Sequence, residues 1–330
     1  MQAAWYESRG PAREVLVVGT MLEPQPAPGE VRIRLAFSGI SPGDVKKRGG
    51  WQGAPMPYPR VIPHSDGAGV IDAVGVGVPS SRIGQTVWCY GAQSYRPFGT
   101  AAESVIVPSA MAVSLPEGAA VQANVLEQAA CLGITGITGY QAVFAAGPVN
   151  GLNVLVWGAG SGVGAVALQM ARRAGARVMA VVRRPEQQTA LREQGVNNTW
   201  LADDPALITY IKQAAPEGVH RVAEVDFAAH IDTNAEIMAI GGVIAAYYSS
   251  DNRPSIPYWK LGFSDVSLRL LGSDDFAPQV KERAAEELTK ALMDGSLSIP
   301  VTRRLPLTEI ALAHEHIEQG FSGRVVLGFS

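Results

Sequence analysis

One stretch of this chain leaves few folds open. Residues Asn153–Gly164 read NVLVWGAGSGVG, an apolar run that meets four alternating glycines, Gly158, Gly160, Gly162 and Gly164. Helical spacing follows at once, with Val163, Val166, Ala167, Met170, Ala171 and Ala174 on one face. A strand, a glycine turn and a helix start form a physical device for holding a pyrophosphate. The glycines let backbone N–H groups approach the phosphates, and the helix N-terminus adds positive partial charge. Read from Gly158, the three-glycine fingerprint fails because Val163 takes the third place. Read from Gly160, it becomes Gly160, Gly162 and Ala165, an accepted variant. The competing explanation is an ordinary tight turn. The stretch predicts cofactor contacts at Gly158, Gly160, Ser161, Gly162 and Val163.

The next strand sharpens this. Arg177–Val182 is a second run with the character of a buried parallel strand. An NAD enzyme usually places an Asp or Glu at its end, for the ribose hydroxyls. Here Arg183 and Arg184 stand there, followed by Pro185 opening another helix. A carboxylate would repel a 2′-phosphate, whereas guanidinium groups attract it and bind it bidentately. NADPH is therefore expected over NADH. A merely solvated arginine pair is the alternative, and it opposes the helix dipole unless an anion joins it.

A length of 330 residues suits two domains. Net charge is −3 with no basic block, so neither nucleic acid nor an acidic membrane is an expected partner. The two cysteines, Cys89 and Cys131, cannot form a disulfide framework or a four-cysteine zinc site, and they read as small core residues. The start of the chain has the pattern of neither a signal nor a transit peptide, and no apolar run reaches membrane-spanning length. A cytoplasmic enzyme is the expectation.

Up to about residue 120 the chain reads as short strands and Pro/Gly turns, with Val31–Leu35 alternating cleanly. Strands and helices then alternate. The predicted strands are Val154–Trp157, Arg177–Val182, Thr199–Leu201, Arg221–Val225 and Val243–Tyr247. The predicted helices are Val163–Ala174, Glu186–Glu193, Pro205–Ala214 and Asn234–Ile240. Ser267–Leu271 is the candidate sixth strand of a doubly wound parallel sheet. The fold class is α/β, with a β-rich domain at 1–120 and 272–330 and a nucleotide-binding domain at 121–271.

This order, with a short return at the C-terminus, resembles the medium-chain dehydrogenase/reductase superfamily. The resemblance spans essentially the whole chain. It is carried by Gly39–Lys46 (GISPGDVK), Pro63–Val70 (PHSDGAGV), Thr135–Tyr140 (TGITGY), the glycine turn, and Ala313–Ile317 before Ser322–Val326. Within the superfamily the chain is most similar to the quinone oxidoreductase branch, which includes zeta-crystallin. The resemblance implies a GroES-like catalytic domain beside a Rossmann domain. It also implies NADPH-dependent reduction of quinones or activated alkenes without metal, and a homodimer formed through the edge of the Rossmann sheet. In this chain that edge is Ser267–Leu271.

The zinc members of the superfamily carry a Cys where this chain has Ser41, and a His where it has His64. A Glu follows that His, whereas here Ser65 follows. A neutral hydroxyl is a poor substitute for thiolate, so no metal is expected. The His314–His316 segment is expected on one face of a surface helix. Asp44 matches the residue that supports the metal-bound His in zinc members. Asp44 is therefore expected to hydrogen-bond His64 and raise its pKa, leaving the other ring nitrogen as a proton donor. The alternative is a structural His satisfied by a backbone carbonyl. Ser41 and Tyr58, the latter displayed between two prolines, complete the catalytic candidates.

By resemblance, Tyr247, Ser249, Gly272 and Ser273 approach the nicotinamide carboxamide, Thr135 faces the ring, and Arg324 pairs with the pyrophosphate. Ser41 and Asp226 join the expected cofactor contacts. The expected function is hydride transfer from NADPH to a small-molecule quinone or α,β-unsaturated carbonyl. The alternatives are a zinc-type alcohol dehydrogenase, or an NADPH-binding protein without physiological turnover.

Overall fold

The computed structural model describes residues 1–118, 123–160, 162–320 and 323–329. The chain divides into two compact units, Met1–Thr135 with Ala277–Ser330, and Gly136–Phe276.

The first unit starts with a hairpin-like pair, β1 (Gln2–Trp5) and β2 (Val17–Thr20), around the short helix α1 (Ala12–Val15). The long strand β3 (Glu30–Gly39) leads into α2 (Pro42–Gly49). Then come β4 (Asp66–Val74), β5 (Thr86–Cys89), β6 (Ser104–Pro108), β7 (Ala112–Ser114) and α3 (Ala123–Ala129). The alternation read at Val31–Leu35 is real: Val31, Ile33 and Leu35 point into one core with Ile71, Val87, Val105 and Val107. The stretch from 123 to 135, expected in the nucleotide-binding half, belongs to the first unit because α3 lies against β3 and β4.

Helix α4 (Ile134–Phe144) runs into the second unit. There follow β8 (Asn153–Trp157), α5 (Gly162–Arg173), β9 (Arg177–Val182), α6 (Pro185–Glu193), β10 (Thr199–Leu201), α7 (Leu207–Ala214), β11 (Val219–Glu224), α8 (Phe227–Ile237), β12 (Met238–Ala246), α9 (Tyr258–Phe263) and β13 (Ser267–Leu270). All pairings in the sheet are parallel, in the order β10-β9-β8-β11-β12-β13. This is the doubly wound fold, with the order reversing between β8 and β11. Both sheet faces are covered, which explains the continuous apolar runs. Leu155 and Trp157 pack with Ile211, Phe227 and Ile231 on one face; Val154 and Val156 pack with Ala167, Leu168 and Ala171 on the other.

The expected helix Asn234–Ile240 is corrected. The helix begins seven residues earlier, and Met238 already pairs with Val219 as strand. Gly241, at φ +72, lets β12 bulge, so the register moves on to Val243 opposite Arg221. The chain then returns to the first unit through α10 (Pro278–Met293), β14 (Val301–Pro306), α11 (Ile310–Glu318) and β15 (Arg324–Gly328). There β15 pairs with β3, joining the C-terminal return to the first sheet.

One contact fixes where α5 meets β8. A Cβ on Gly164 would lie 2.3 Å from the Gly158 carbonyl oxygen, so the helix rides directly on the strand end. Gly164→Ala is expected to destabilise the protein by about 1–3 kcal/mol, the usual cost of overpacking a tight contact. A urea midpoint equal to that of the parent protein would show that this contact has slack.

Candidate functional site

The four glycines of the turn perform different tasks. Gly158 takes φ +68 and makes the sharp exit from β8, while its N–H and that of Ala159 both donate to the Val181 carbonyl. A Cβ on Gly160 would meet the side chain of Gln187 at 2.7 Å. Gly162 opens α5 at φ +50, with nothing within 4 Å of the place its Cβ would take. Gly164 is the close-packing glycine. The third glycine of the fingerprint is thus Gly164 rather than the expected Ala165, at one residue's wider spacing. The turn fits a pyrophosphate, since open space lies beside a twelve-residue helix whose first N–H groups have no intrahelical acceptors. Val163 lies in the first turn of α5; Ser161 lies outside the described residues.

Arg183 and Arg184 end β9 as expected. Both are exposed, and among the described residues neither side chain makes a hydrogen bond or ion pair. Arg184 is the N-cap of α6 and offers no side-chain cap. At the end of β11, Asp226 is the N-cap residue of α8 without a side-chain cap, and its Oδ1 instead accepts the Ser250 N–H at 2.8 Å, which ties down the loop after β12. Ser249 Oγ donates to the Asp251 carbonyl. The Tyr247 hydroxyl is buried without a partner, and burial, helped by the Glu224 carboxylate, holds its pKa far above the usual phenol range. Gly272 and Ser273 follow β13, with the Gly272 carbonyl accepting the Asp275 N–H.

Sequence reading missed the anchor of this strand end. The fully buried Glu224 accepts from the Asp226 N–H at 2.6 Å, from Asn234 Nδ2 at 2.6 Å, and pairs with His230 Nδ1 at 2.7 Å. Asn234 in turn accepts from Trp157 Nε1, and the His230 ring stacks on Trp157 at 3.8 Å. The signal was present as His230 and Asn234 four residues apart on α8.

In the first unit, the expected Asp44–His64 hydrogen bond is not formed. Asp44 Oδ2 accepts from the Ser41 N–H at 2.7 Å and from Ser41 Oγ at 2.8 Å, a capping box at the start of α2. Helix capping by a short Ser–x–x–Asp repeat outcompetes a longer reach to the imidazole. His64 is fully buried at φ +73, a left-handed conformation that His tolerates better than most residues. Its Nδ1 lies 2.9 Å from Ser38 Oγ, and its Nε2 lies 2.9 Å from His314 Nε2.

His314 is therefore no surface residue: α11 turns it inward and it is fully buried. The direction of the chain can be read from its far end. The Asp66 carbonyl can only accept, so Thr100 Oγ1 donates to it at 2.7 Å. Thr100 then accepts from Ser38 Oγ at 2.8 Å, and Ser38 accepts from His64 Nδ1–H. His64 Nε2 is left bare and accepts from His314 Nε2–H, leaving His314 Nδ1 as a buried nitrogen without a partner.

Burial pushes the His64 pKa down to about 4, with the nearby Asp44 carboxylate opposing that shift only in part. The expected rise is thus reversed, because desolvation outweighs an unbonded neighbour. Burial, and then His64 itself, also hold His314 well below the usual range. A catalytic zinc does not fit these residues. Ser41 stands at the thiolate place with its hydroxyl given to Asp44, and the one bare nitrogen of His64 is taken by His314. Among the described residues no group of three or more His, Cys, Asp or Glu is placed to hold a metal.

The remaining candidates are scattered. The partly exposed Tyr58 donates its hydroxyl to the Tyr95 carbonyl at 2.5 Å. Thr135 is buried. Arg324 is buried too, donating from one terminal nitrogen to the Ile40 carbonyl at 2.6 Å while its Nε has no partner.

Comparisons with known proteins agree with this architecture. The alcohol dehydrogenase GroES-like domain matches residues 27–117, and the zinc-binding dehydrogenase domain matches residues 162–282. The synaptic vesicle membrane protein VAT-1 homolog of Rattus norvegicus is 33% identical over 202 residues, 61% of this chain and 47% of that protein. The chain thus spans about half the length of the first curated relatives it matches. The quinone oxidoreductase of Rattus norvegicus is 26% identical over 333 residues, covering 98% of this chain and 95% of that protein. Among solved structures, an NAD-dependent alcohol dehydrogenase matches at TM-score 0.85 with 27% identity over 100% of both chains. Mycobacterial Rv1454c, solved complexed with NADPH, matches at TM-score 0.84 with 24% identity over 100% of both chains. The chain belongs to the medium-chain dehydrogenase/reductase superfamily, in its quinone oxidoreductase branch.

The buried imidazole makes a pH prediction. In the unfolded chain His64 takes a proton near pH 6.5, but in the folded protein only near pH 4. Between these values the unfolded chain binds the extra proton, so the stabilisation is complete above pH 6.5 and is lost as pH falls toward 4. The loss from this one group is about 3 kcal/mol at most. His64→Asn, which keeps a residue tolerant of positive φ, is expected to flatten the fall in urea midpoint between pH 7 and 4.5. Parallel curves for the two proteins would refute the assignment.

Proposed function

We propose that this protein is an NADPH-dependent reductase that transfers hydride to a quinone or an α,β-unsaturated carbonyl without a metal. The observation that carries the reading is the exposed, unpaired Arg183–Arg184 pair at the end of β9, beside a glycine turn built for phosphate. Two cations at the N-terminus of α6 oppose its dipole, and an anionic 2′-phosphate relieves that conflict. When bound, the dinucleotide supplies the hydride. The second unit holds and orients it through the turn and the strand ends at Asp226, Tyr247, Ser249, Gly272 and Ser273.

The metal-free reading is supported by the donor direction at His64, whose bare nitrogen already accepts from His314. With its pKa pushed down and both nitrogens engaged, His64 is a structural group. The partly exposed Tyr58 is the proton donor left in the expected set, and its hydroxyl acts only by exchanging the Tyr95 carbonyl for the substrate. The acceptor is a small planar carbonyl compound, as the names of the full-length relatives suggest. Two free, buried cysteines suit a reducing, cytoplasmic setting, and no helix among the described residues is long and apolar enough to cross a membrane.

The proposed partner is a second copy of the chain. The strand β13 ends the sheet, and around it Leu270, Phe263, Trp259 and Ile240 are all exposed by more than 70%. An apolar edge of this kind pairs with its own copy across a two-fold axis. Sedimentation at micromolar concentration is expected to give a dimer that Leu270→Arg dissociates; a monomeric parent protein would remove the proposal.

The function is tested by initial rates with NADPH and NADH over a panel of quinones and enones, with and without prior chelator. Chelator-insensitive turnover preferring NADPH is expected. Arg183→Ala with Arg184→Ala should cost NADPH about tenfold in kcat/KM, roughly 1.4 kcal/mol, and NADH little. Tyr58→Phe should lower kcat by about tenfold or more. Chelator-sensitive oxidation of alcohols would establish the zinc alcohol dehydrogenase instead, and binding without turnover would establish a dinucleotide-binding protein.

A further inference from the structure

Glu224 is fully buried at the last paired position of β11, the strand beside which the sheet order reverses. Three donors converge on it. Trp157 Nε1–H can only donate, so Asn234 Oδ1 faces the indole and Asn234 Nδ2 faces the carboxylate. The carboxylate can only accept, so His230 Nδ1 carries the hydrogen of their 2.7 Å bond. The third donor is the Asp226 N–H, on the same oxygen as His230. His230 and Asn234 on α8 therefore hold the carboxylate, and the carboxylate holds the backbone two residues on. From there the chain is stitched to the end of β12. Tyr247 N–H donates to the Glu224 carbonyl at 3.1 Å, Phe227 N–H to the Tyr248 carbonyl at 3.0 Å, and Ser250 N–H to Asp226 Oδ1 at 2.8 Å. Val225, between the two acidic residues, lies on the glycine turn: a Cβ on Gly158 would add a contact with its Cγ1 at 3.3 Å. One buried carboxylate thus sets two strand ends and the residue packed on the turn.

We propose that His230 is a positioning residue for hydride transfer, fixing through Glu224 the ends of β11 and β12 on which the dinucleotide is oriented. The inference rests on the cofactor reading above, and it gives His230 a role through Glu224 rather than by contact. Hydrogen bonds to a carboxylate are charge-assisted, and three of them leave Glu224 a single geometry. Without the His230 donor, the carboxylate is free to turn toward Asn234, and the Asp226 amide loses its fixed acceptor. Hydride transfer depends steeply on how donor and acceptor carbons approach each other. A displaced strand end therefore falls on kcat, while phosphate affinity, which belongs to the turn and the arginine pair, stays.

Two substitutions separate the donor from the ring. His230→Asn keeps an N–H at the place of Nδ1 and removes the ring stacked on Trp157; His230→Phe keeps the ring and removes the donor. The free protein is read first, by amide hydrogen exchange of the segment 247–253. Exchange there is expected to quicken about fivefold or more in His230→Phe and to stay within about twofold of the parent protein in His230→Asn. Turnover of NADPH with 1,4-naphthoquinone is expected to follow. There kcat falls about tenfold in His230→Phe and less than about threefold in His230→Asn, with KM for NADPH and the Kd of 2′,5′-ADP within about twofold throughout. Equal losses in both variants would make ring packing on Trp157 responsible and overturn the inference. So would an unchanged kcat in His230→Phe, with or without faster exchange. Where circular dichroism shows a disturbed fold in His230→Phe, His230→Ala replaces it and is expected to show the same losses. Failure of the cofactor reading looks different: the parent protein oxidises neither dinucleotide, and the role in hydride transfer falls with it even where the exchange contrast between the variants stands.

Discussion

The second unit is organised by the approach of one backbone to another at Gly164 and Gly158. Because no side chain separates α5 from the end of β8, the helix axis points its N-terminus at the turn rather than past it. Everything placed around that point inherits the geometry. The Gly158 and Ala159 N–H groups tie the turn to the Val181 carbonyl of β9, and two residues beyond Val181 the chain presents Arg183 and Arg184. A carbonyl–helix contact, two cross-strand bonds and a proline at the start of α6 are together enough to hold a phosphate turn beside a cationic strand end.

The first unit has a comparable fixed point in Asp66. Its backbone carbonyl ends the chain that runs from His314 through His64, Ser38 and Thr100. Its carboxylate accepts the Ile134 N–H at the start of α4, and Gly133 has no room for a Cβ beside it. A single buried residue thus sets the direction of a proton-ordered chain and caps a helix. Burying so many polar groups is tolerable because most of them are satisfied, and the unpartnered His314 Nδ1 is part of the cost. The same ordering leaves His64 neutral, with both ring nitrogens engaged inside the fold.

Much of this was legible in the sequence where the physics is local. The glycine turn, the buried strands beside it and the arginine pair all depend on residues within a few positions of one another. Helix boundaries set by competing neighbours were less legible. The Asn234–Ile240 segment carries helical spacing, yet Met238 already pairs with Val219 of β11, and two glycines downstream absorb the mismatch as a bulge. The contact of Gln187 with the turn was not legible, because nothing in its own neighbourhood shows that it lies on Gly160, 27 residues earlier.

Sequence alone determined the two-part architecture and the placing of an arginine pair at the end of β9, since periodicity and turn composition act over a few residues and survive any packing. Only the tertiary structure decided the fate of His64. Its partner His314 lies 250 residues away, and the meeting of their rings depends on β15 pairing with β3 and on α11 folding back against that sheet. A pKa follows burial and partners rather than residue type, so a histidine that reads as a proton donor in the sequence becomes, once enclosed, a neutral acceptor.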